Sequence, residues 1–128
     1  MQIFMIVDDS PVIRKVGRRL IEDMGFVVVE AVDAIEALTI CRSNMPDVIM
    51  VDWDIGGSSG LDLIREIVLL PGSESLKILY CTSELMVAEM TKAKRSGATG
   101  FIMKPFNRRV LADKFRQFGL IRDEQFAA

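Results

Sequence analysis

The sequence contains no histidine, and this absence excludes several kinds of chemistry. Ser-His-Asp triads, Cys-His nucleophiles and the common zinc sites all require an imidazole group. The chain also cannot carry a phosphohistidine of its own. Any nucleophile or metal ligand must therefore be sought among carboxylates, hydroxyl groups and amines.

Cysteine is scarce, and long apolar runs are missing. Cys41 and Cys81 are the only two cysteines, and each lies inside an apolar segment, which predicts two reduced core residues and no disulfide. The apolar residues 1–7 are followed by Asp8 and Asp9 before a signal-peptide core or a membrane span has formed. We therefore expect a cytoplasmic protein that makes no membrane contact.

Neither sign of charge is in strong excess. The formal net charge is -2 at pH 7, so the composition implies no general affinity for nucleic acid. The distribution is uneven, because residues 91–128 contain nine Lys or Arg and three Asp or Glu, against seven and fifteen in residues 1–90. We interpret part of this excess as a docking surface for an acidic partner, with a solvated basic face as the alternative. The residues concerned are Lys92, Lys94, Arg95, Arg108 and Arg109.

What the sequence does contain is a regular alternation of two patterns. Five apolar runs typical of strands alternate with five segments of helical periodicity, which favours one α/β domain with a parallel sheet covered on both faces. The predicted strands are residues 3–7, 26–30, 48–52, 76–81 and 99–103. The predicted helices begin after Ser10, Asp33, Gly60, Ser83 and Asn107, and residues 56–60 are predicted to form a flexible glycine-rich loop.

Polar residues stand where four of these strands end. Asp52 ends the central run, Asp8 and Asp9 follow the first strand, Thr82 follows the fourth, and Lys104 follows the fifth. Taken singly, each acidic position could simply open a turn. Because ligands of open α/β sheets bind outside the carboxyl ends of the strands, we expect these side chains to share one pocket.

Three carboxylates in one pocket would repel each other by about 3 kcal/mol per pair at ~5 Å and an effective dielectric constant of about 20. Hard oxygen ligands with room for water suit Mg²⁺, so we expect a magnesium site. Thr82 and Lys104 would complete a cradle for a phosphoryl group transferred onto Asp52. Asp52 is the best candidate nucleophile because its strand is central.

These motifs resemble those of the receiver domain of bacterial two-component response regulators, and most closely the single-domain, chemotaxis-regulator type. The resemblance covers residues 2 to about 118 and rests on Asp8-Asp9, residues 46–52, Gly60, Thr82 and Lys104-Pro105-Phe106. It implies a flavodoxin-like, doubly wound fold with five helices and a five-stranded parallel sheet in the order 2-1-3-4-5. Residues 1–119 would form the receiver domain and residues 120–128 a C-terminal tail.

The resemblance also implies roles for the acidic residues. Asp52 matches the phosphoacceptor, which takes a phosphoryl group from a phosphohistidine of a sensor histidine kinase or a histidine phosphotransferase. Asp9 matches the direct Mg²⁺ ligand and Asp8 the ligand that acts through water. The backbone carbonyl of Asp54 would complete the metal site together with Asp52.

The remaining matches concern switching. Thr82 matches the switch hydroxyl, Lys104 the lysine that pairs with the phosphate, and Phe101 the aromatic residue that changes rotamer on activation. An ordinary core position is the alternative for Phe101. The family usually has proline at the position of Gly56, so the loop after Asp52 is expected to be more mobile here. It usually has a small Ala or Gly at the position of Ser83, which should still permit access to the site.

These roles predict a stand-alone regulator with no enzyme activity beyond phosphorylation and dephosphorylation of its own Asp52. No DNA-binding segment follows Phe118, so we expect a downstream protein target and a monomer or weak dimer. Two alternatives stay open. Asp52-Trp53-Asp54 is similar to the Asp-x-Asp motif of haloacid dehalogenase-like phosphatases, and a vestigial pocket would leave a phosphate-independent, receiver-like scaffold.

Overall fold

The computed structural model describes residues 2–84 and 86–122, which form an α/β fold. The strands are β1 (Ile3–Val7), β2 (Val27–Ala31), β3 (Val48–Asp52), β4 (Asp54–Ile55), β5 (Ser58–Ser59), β6 (Lys77–Thr82) and β7 (Gly100–Met103). The helices are α1 (Pro11–Asp23), α2 (Ala34–Ser43), α3 (Gly60–Ile67), α4 (Val87–Ser96) and α5 (Arg108–Gln117).

Five of the strands form one parallel sheet in the order β2-β1-β3-β6-β7. This order confirms the predicted arrangement 2-1-3-4-5, since β4 and β5 lie in a separate two-stranded sheet. The chain runs outward from β1 to β2 and then crosses back to β3 on the other side of β1. Strand order therefore reverses between β1 and β3, and their carboxyl ends border the crevice in which such sheets bind ligands.

The middle strand β3 is buried at all five positions, and its side chains alternate between two cores. Ile49 and Val51 belong to a core that includes residues of α2, α3 and α4. Val48 and Met50 belong to the opposite core, which includes residues of α1 and α5. Each fully buried aliphatic side chain contributes about 1.5 to 3 kcal/mol of transfer free energy, so this central strand is held firmly from both faces.

Three helix starts follow the predicted capping chemistry. The Ser10 side chain accepts a hydrogen bond from Ile13 N, with Pro11 at the first helical position. Asp33 accepts from Glu36 N, and Asn107 caps α5. Two of these caps, Ser10 and Asn107, start the helices that follow the candidate site residues at the ends of β1 and β7.

The predicted start of α4 is wrong. The helix begins at Val87, with Met86 at its N-cap and no side-chain cap, rather than after Ser83. The Thr82 hydroxyl lies 3.2 Å from Glu84 O and 3.3 Å from Glu84 N, so the chain makes a side-chain turn before the helix starts. Residue 85 lies outside the described residues.

The predicted glycine-rich loop at residues 56–60 contains the turn and second strand of a short hairpin that was not predicted from the sequence. β4 and β5 pair in antiparallel fashion, Asp54 with Ser59 and Ile55 with Ser58. The connecting Gly56 and Gly57 both have positive φ, 60° and 95°, as a two-residue type I′ hairpin turn requires. The glycines that suggested mobility serve the geometry of this hairpin.

The chain continues into the core after α5. Leu120 N donates to Phe115 O at 2.8 Å, and Ile121 is buried in the core on the α1 and α5 side. The first residues of the predicted tail therefore pack against the domain, and residues 123–128 lie outside the described part of the chain. Within residues 2–84 and 86–122, no helix has both the length and the apolar character needed to cross a bilayer.

Gly60 is required by a close backbone approach, and this can be tested. A Cβ at Gly60 would lie 2.1 Å from the carbonyl oxygen of Asp52, a backbone atom that cannot move aside. We expect Gly60→Ala to lower the free energy of unfolding by about 3 kcal/mol, measured by urea denaturation.

The matched control is Gly57→Ala in the turn of the hairpin that precedes Gly60. A Cβ there has no heavy atom within 4 Å, so only the cost of positive φ applies, about 1 kcal/mol. Equal losses in the two variants would contradict the role assigned to the contact between Gly60 and Asp52.

Candidate functional site

The structure brings four of the predicted site residues into one cluster at the carboxyl edge of the sheet. Asp8 and Asp9 follow β1 and Asp52 ends β3, and a carboxylate oxygen from each of the three lies within 4.8 Å of the others. Lys104 follows β7 and reaches across β6 to join them. The predicted convergence of these strand ends is therefore observed.

Lys104 is placed between two buried carboxylates. Its Nζ donates to Asp8 Oδ2 at 2.8 Å and lies 2.7 Å from Asp52 Oδ1. The Lys104 side chain is 20% exposed, whereas those of Asp8 and Asp52 are 4% and 7% exposed. The backbone of Lys104 is anchored as well, because its N donates to Thr82 O at 2.8 Å. One ammonium group thus neutralises part of the charge of three converging carboxylates.

The three carboxylates differ in how they are satisfied. Asp8 Oδ1 accepts from Ser10 N at 2.9 Å, while Oδ2 accepts from Lys104. Asp52 Oδ2 receives only a long bond of 3.4 Å from Asp54 N. Among the described residues, Asp52 Oδ1 is buried with no well-aligned hydrogen bond, and its close polar neighbour is Lys104 Nζ at 2.7 Å. A buried oxygen in this condition, beside two further carboxylates, fits a hard divalent cation.

Burial dominates the electrostatics of Asp52. It raises the pKa of the Asp52 carboxyl above its usual value, against the opposing effect of Lys104 and with a further rise from the charge of Asp8. Burial alone would lower the pKa of Lys104, but its contacts with Asp52 and Asp8 outweigh this and leave that pKa raised. Burial therefore disfavours the ionised form of Asp52, and a second positive charge bound nearby would favour it.

Thr82 stands at the rim of the cluster without bonding to Asp52. It ends β6, directly after Cys81, which pairs in register with Asp52. Its hydroxyl is engaged with the backbone of Glu84. Asp54 also turns away, since its carboxylate accepts from Gly57 N at 3.0 Å, and the metal role of its backbone carbonyl stays a prediction.

Phe101 is packed inside the protein. It is 8% exposed, and its ring meets that of Tyr80 edge to face, with centroids 6.5 Å apart. The Tyr80 hydroxyl in turn lies 3.3 Å from a carboxylate oxygen of Glu89 on α4, and burial raises the pKa of Tyr80 well above its usual value. Sequence reasoning missed Tyr80, although its position two residues before Thr82 places both side chains on the same face of β6.

The predicted basic surface changes in one respect. Arg108 Nη2 lies 2.8 Å from Asp23 Oδ2 at the end of α1, and both side chains are about half exposed. Arg108 is therefore tied to another helix. Arg109 and the α4 residues Lys92, Lys94 and Arg95 are exposed.

Comparison with known proteins gives a consistent result. A sequence model of the family described as response regulator receiver domain matches residues 4–116. The chemotaxis protein CheY of Pseudomonas aeruginosa is 32% identical over 114 residues, which are 88% of this chain and 92% of that protein. The chemotaxis protein CheY-3 of Vibrio cholerae is 32% identical over 111 residues, covering 86% of this chain and 85% of that protein.

Solved structures agree with the sequence relatives. The chemotaxis response regulator CheY4 of Vibrio cholerae has a TM-score of 0.86 at 29% identity, covering 91% of this chain and 98% of that chain. A response regulator of Burkholderia pseudomallei was solved with a phosphorylated aspartic acid, a calcium ion and citrate. It has a TM-score of 0.78 at 27% identity, covering 93% of this chain and 73% of that chain. These similarities favour neither the phosphatase nor the phosphate-independent scaffold.

The cost of the buried Asp52 charge gives a test of the site electrostatics. Without added metal, we expect Asp52→Asn to raise the free energy of unfolding at pH 7 by about 1 to 3 kcal/mol, because it removes a buried charge that Asp8 repels while Lys104 keeps its contact with Asp8. Urea denaturation at several pH values provides the measurement.

The pH dependence has a definite sign. Because the folded chain raises the pKa of Asp52, it takes up a proton there more readily than the unfolded chain, so this residue favours folding as pH falls and disfavours it at neutral pH. The gain from Asp52→Asn should therefore shrink as the pH is lowered. Asp62→Asn, at a surface ion pair 72% exposed, should change stability by less than about 0.5 kcal/mol. A less stable Asp52→Asn protein at pH 7 would contradict this description.

Proposed function

Because the chain belongs to the response regulator receiver domain family, we propose that it is a CheY-type regulator phosphorylated at Asp52 within a two-component phosphorelay. The observation that carries the proposal is the position of Lys104, between Oδ2 of Asp8 and the buried Oδ1 of Asp52. That arrangement provides a nucleophilic oxygen and a nearby cation for a phosphoryl group. The phosphorylated aspartic acid in the Burkholderia pseudomallei relative supports the same chemistry here.

The reaction proposed for this site is phosphoryl transfer from a partner's phosphohistidine. A carboxylate oxygen of Asp52 attacks the phosphorus atom, a P–O bond forms, and the P–N bond breaks as the imidazole leaves with the electron pair. Lys104 is close enough to move from Asp8 onto a phosphoryl oxygen. Bound Mg²⁺ would supply charge neutralisation for the carboxylates and the phosphoryl group. The groups proposed to hold it are Asp8, Asp9, Asp52 and the backbone carbonyl of Asp54.

We further propose how the modification reaches the surface. An aspartyl phosphate would add about two negative charges at neutral pH. The Thr82 hydroxyl would then leave the backbone of Glu84 and donate to the phosphoryl group. This movement of Thr82 would also shift β6. Because Tyr80 lies on the same strand and contacts both Phe101 and Glu89, such a shift would change the packing of Phe101 and the position of α4.

The proposed partners follow from this scheme. A sensor histidine kinase or histidine phosphotransferase in the cytoplasm would donate the phosphoryl group, and a downstream protein would bind the face formed by α4, β7 and α5. The exposed Arg109, Lys92, Lys94 and Arg95 favour an acidic surface on that target. No activity on other substrates is proposed, and monomeric or weakly dimeric behaviour is expected.

Incubation with acetyl phosphate and Mg²⁺ tests the proposal directly. Intact mass spectrometry should show the gain of one phosphoryl group, and peptide mapping should place it on Asp52. The gain should be absent in Asp52→Asn and when the metal is chelated, whereas the surface variant Asp62→Asn should behave as the original chain. Modification at a different residue, or equal modification of Asp52→Asn, would rule the proposed function out.

A further inference from the structure

We propose that Arg14 is a positioning residue that acts through the backbone of Asp8. It fixes the segment Asp8-Asp9 between β1 and α1, called here the metal-binding loop. The inference rests on the proposed function, because it concerns the same carboxylates. Arg14 lies in the first turn of α1 and its side chain is only 14% exposed. Its Nη1 donates to the carbonyl oxygen of Asp8 at 2.7 Å, and its Nε donates to Glu30 Oε1 at 3.1 Å.

The carbonyl that Arg14 binds has a special place in the chain. The peptide group that follows Asp8 is planar, so its carbonyl oxygen and the N of Asp9 lie in one rigid unit. A hydrogen bond that fixes this oxygen therefore orients the peptide group between Asp8 and Asp9, from which both carboxylate side chains extend. The other side of Asp8 is held by β2, since Asp8 N donates to Ala31 O at 3.2 Å.

Arg14 completes the set of contacts around Asp8. The carboxylate of Asp8 is held by Ser10 N and Lys104 Nζ, and its carbonyl is held by Arg14. When Lys104 leaves Asp8 for a phosphoryl group, the contacts of Asp8 with Ser10, Arg14 and Ala31 remain, and of these the contact with Arg14 is the one that holds its carbonyl. Arg14 therefore acts on the metal ligands without touching the reacting atoms.

Glu30 holds the guanidinium in position. It lies on β2, and its two carboxylate oxygens are shared between Arg14 and Arg18, one turn further along α1. Arg18 continues to Val28 O and Glu22 rather than to Asp8. The two arginines thus use the same acidic partner, but only Arg14 joins it to the metal-binding loop.

The chemistry requires arginine at this position. Its planar guanidinium presents Nε and Nη1 to two acceptors at once, whereas the ammonium group of lysine is a single point at the end of a flexible stem. Arg14→Lys should keep a positive charge near Glu30 but lose simultaneous contact with Glu30 and Asp8 O. Arg18→Lys is the matched control, since it perturbs the same ion-pair network without reaching Asp8.

The test is a Mg²⁺ titration in which binding is measured through the fluorescence of Trp53. This residue is the only tryptophan in the chain and the neighbour of Asp52. We expect Arg14→Lys to weaken Mg²⁺ binding by about tenfold, the lower range for residues that orient metal ligands. Arg18→Lys should retain the original affinity. Urea denaturation of both variants measures the stability loss separately, and the Mg²⁺-dependent rise in melting temperature provides a second measure of affinity.

Activity supplies an independent check. Phosphorylation of Arg14→Lys by acetyl phosphate should be slowed at low Mg²⁺ and restored at saturating Mg²⁺. If the original protein binds Mg²⁺ but Arg14→Lys and Arg18→Lys bind it with equal affinity, the inference is overturned and the proposed function is left intact. An original protein with no response to Mg²⁺ by either measure, and no phosphorylation, would overturn both.

Discussion

The contact of the Lys104 ammonium with the carboxylates of Asp8 and Asp52 is the interaction on which the site depends. Lys104 and Asp8 are 96 positions apart in the chain, and they meet only because β7 and β1 run parallel within one sheet. Removing charges from water is costly, and one ammonium does not offset the carboxylates that face it. The pKa of the buried Asp52 carboxyl consequently stays raised. The carboxyl edge of the sheet therefore carries negative charge that Lys104 neutralises only in part. A bound cation or a phosphoryl group would change this balance of charge.

The surrounding structure supports this edge from several directions. β3 is packed between two cores, so Asp52 ends a strand with little freedom to move. Gly60 lets α3 begin against the carbonyl of Asp52, and the Gly56-Gly57 turn folds the intervening hairpin. Firmly packed elements therefore hold the carboxylates together despite their repulsion. The hydrogen bonds of Thr82, by contrast, are local contacts with the backbone of Glu84.

Much of the fold could be predicted because it depends on local patterns. Apolar runs marked the strands, and Ser10, Asp33 and Asn107 marked three helix starts. The parallel arrangement then placed the strand-end residues at one edge. The hairpin after Asp52 was missed because its strands of two residues are too short to show alternation, although paired glycines are a hairpin signal. The start of α4 was misplaced because Ser83 has capping chemistry while the turn at Thr82 displaces the helix.

The contacts that helix side chains make with distant parts of the chain could not be predicted. No local feature distinguishes Arg14 from Arg18 on α1, and only the fold shows that one reaches Asp8 O and the other Val28 O. The ion pair of Arg108 with Asp23 and the contact of Tyr80 with Glu89 are of the same kind. Such contacts depend on how helices dock on the sheet, which the order of polar and apolar residues does not specify.

A crystal structure of the chain grown with Mg²⁺ and beryllofluoride tests the central claim most directly. We expect a metal ion held by Asp9 and Asp52, the fluoride complex on an oxygen of Asp52, and Lys104 moved from Asp8 to a fluorine atom. A structure in which Lys104 keeps both carboxylates, with neither metal nor fluoride complex at Asp52 under saturating conditions, would contradict it.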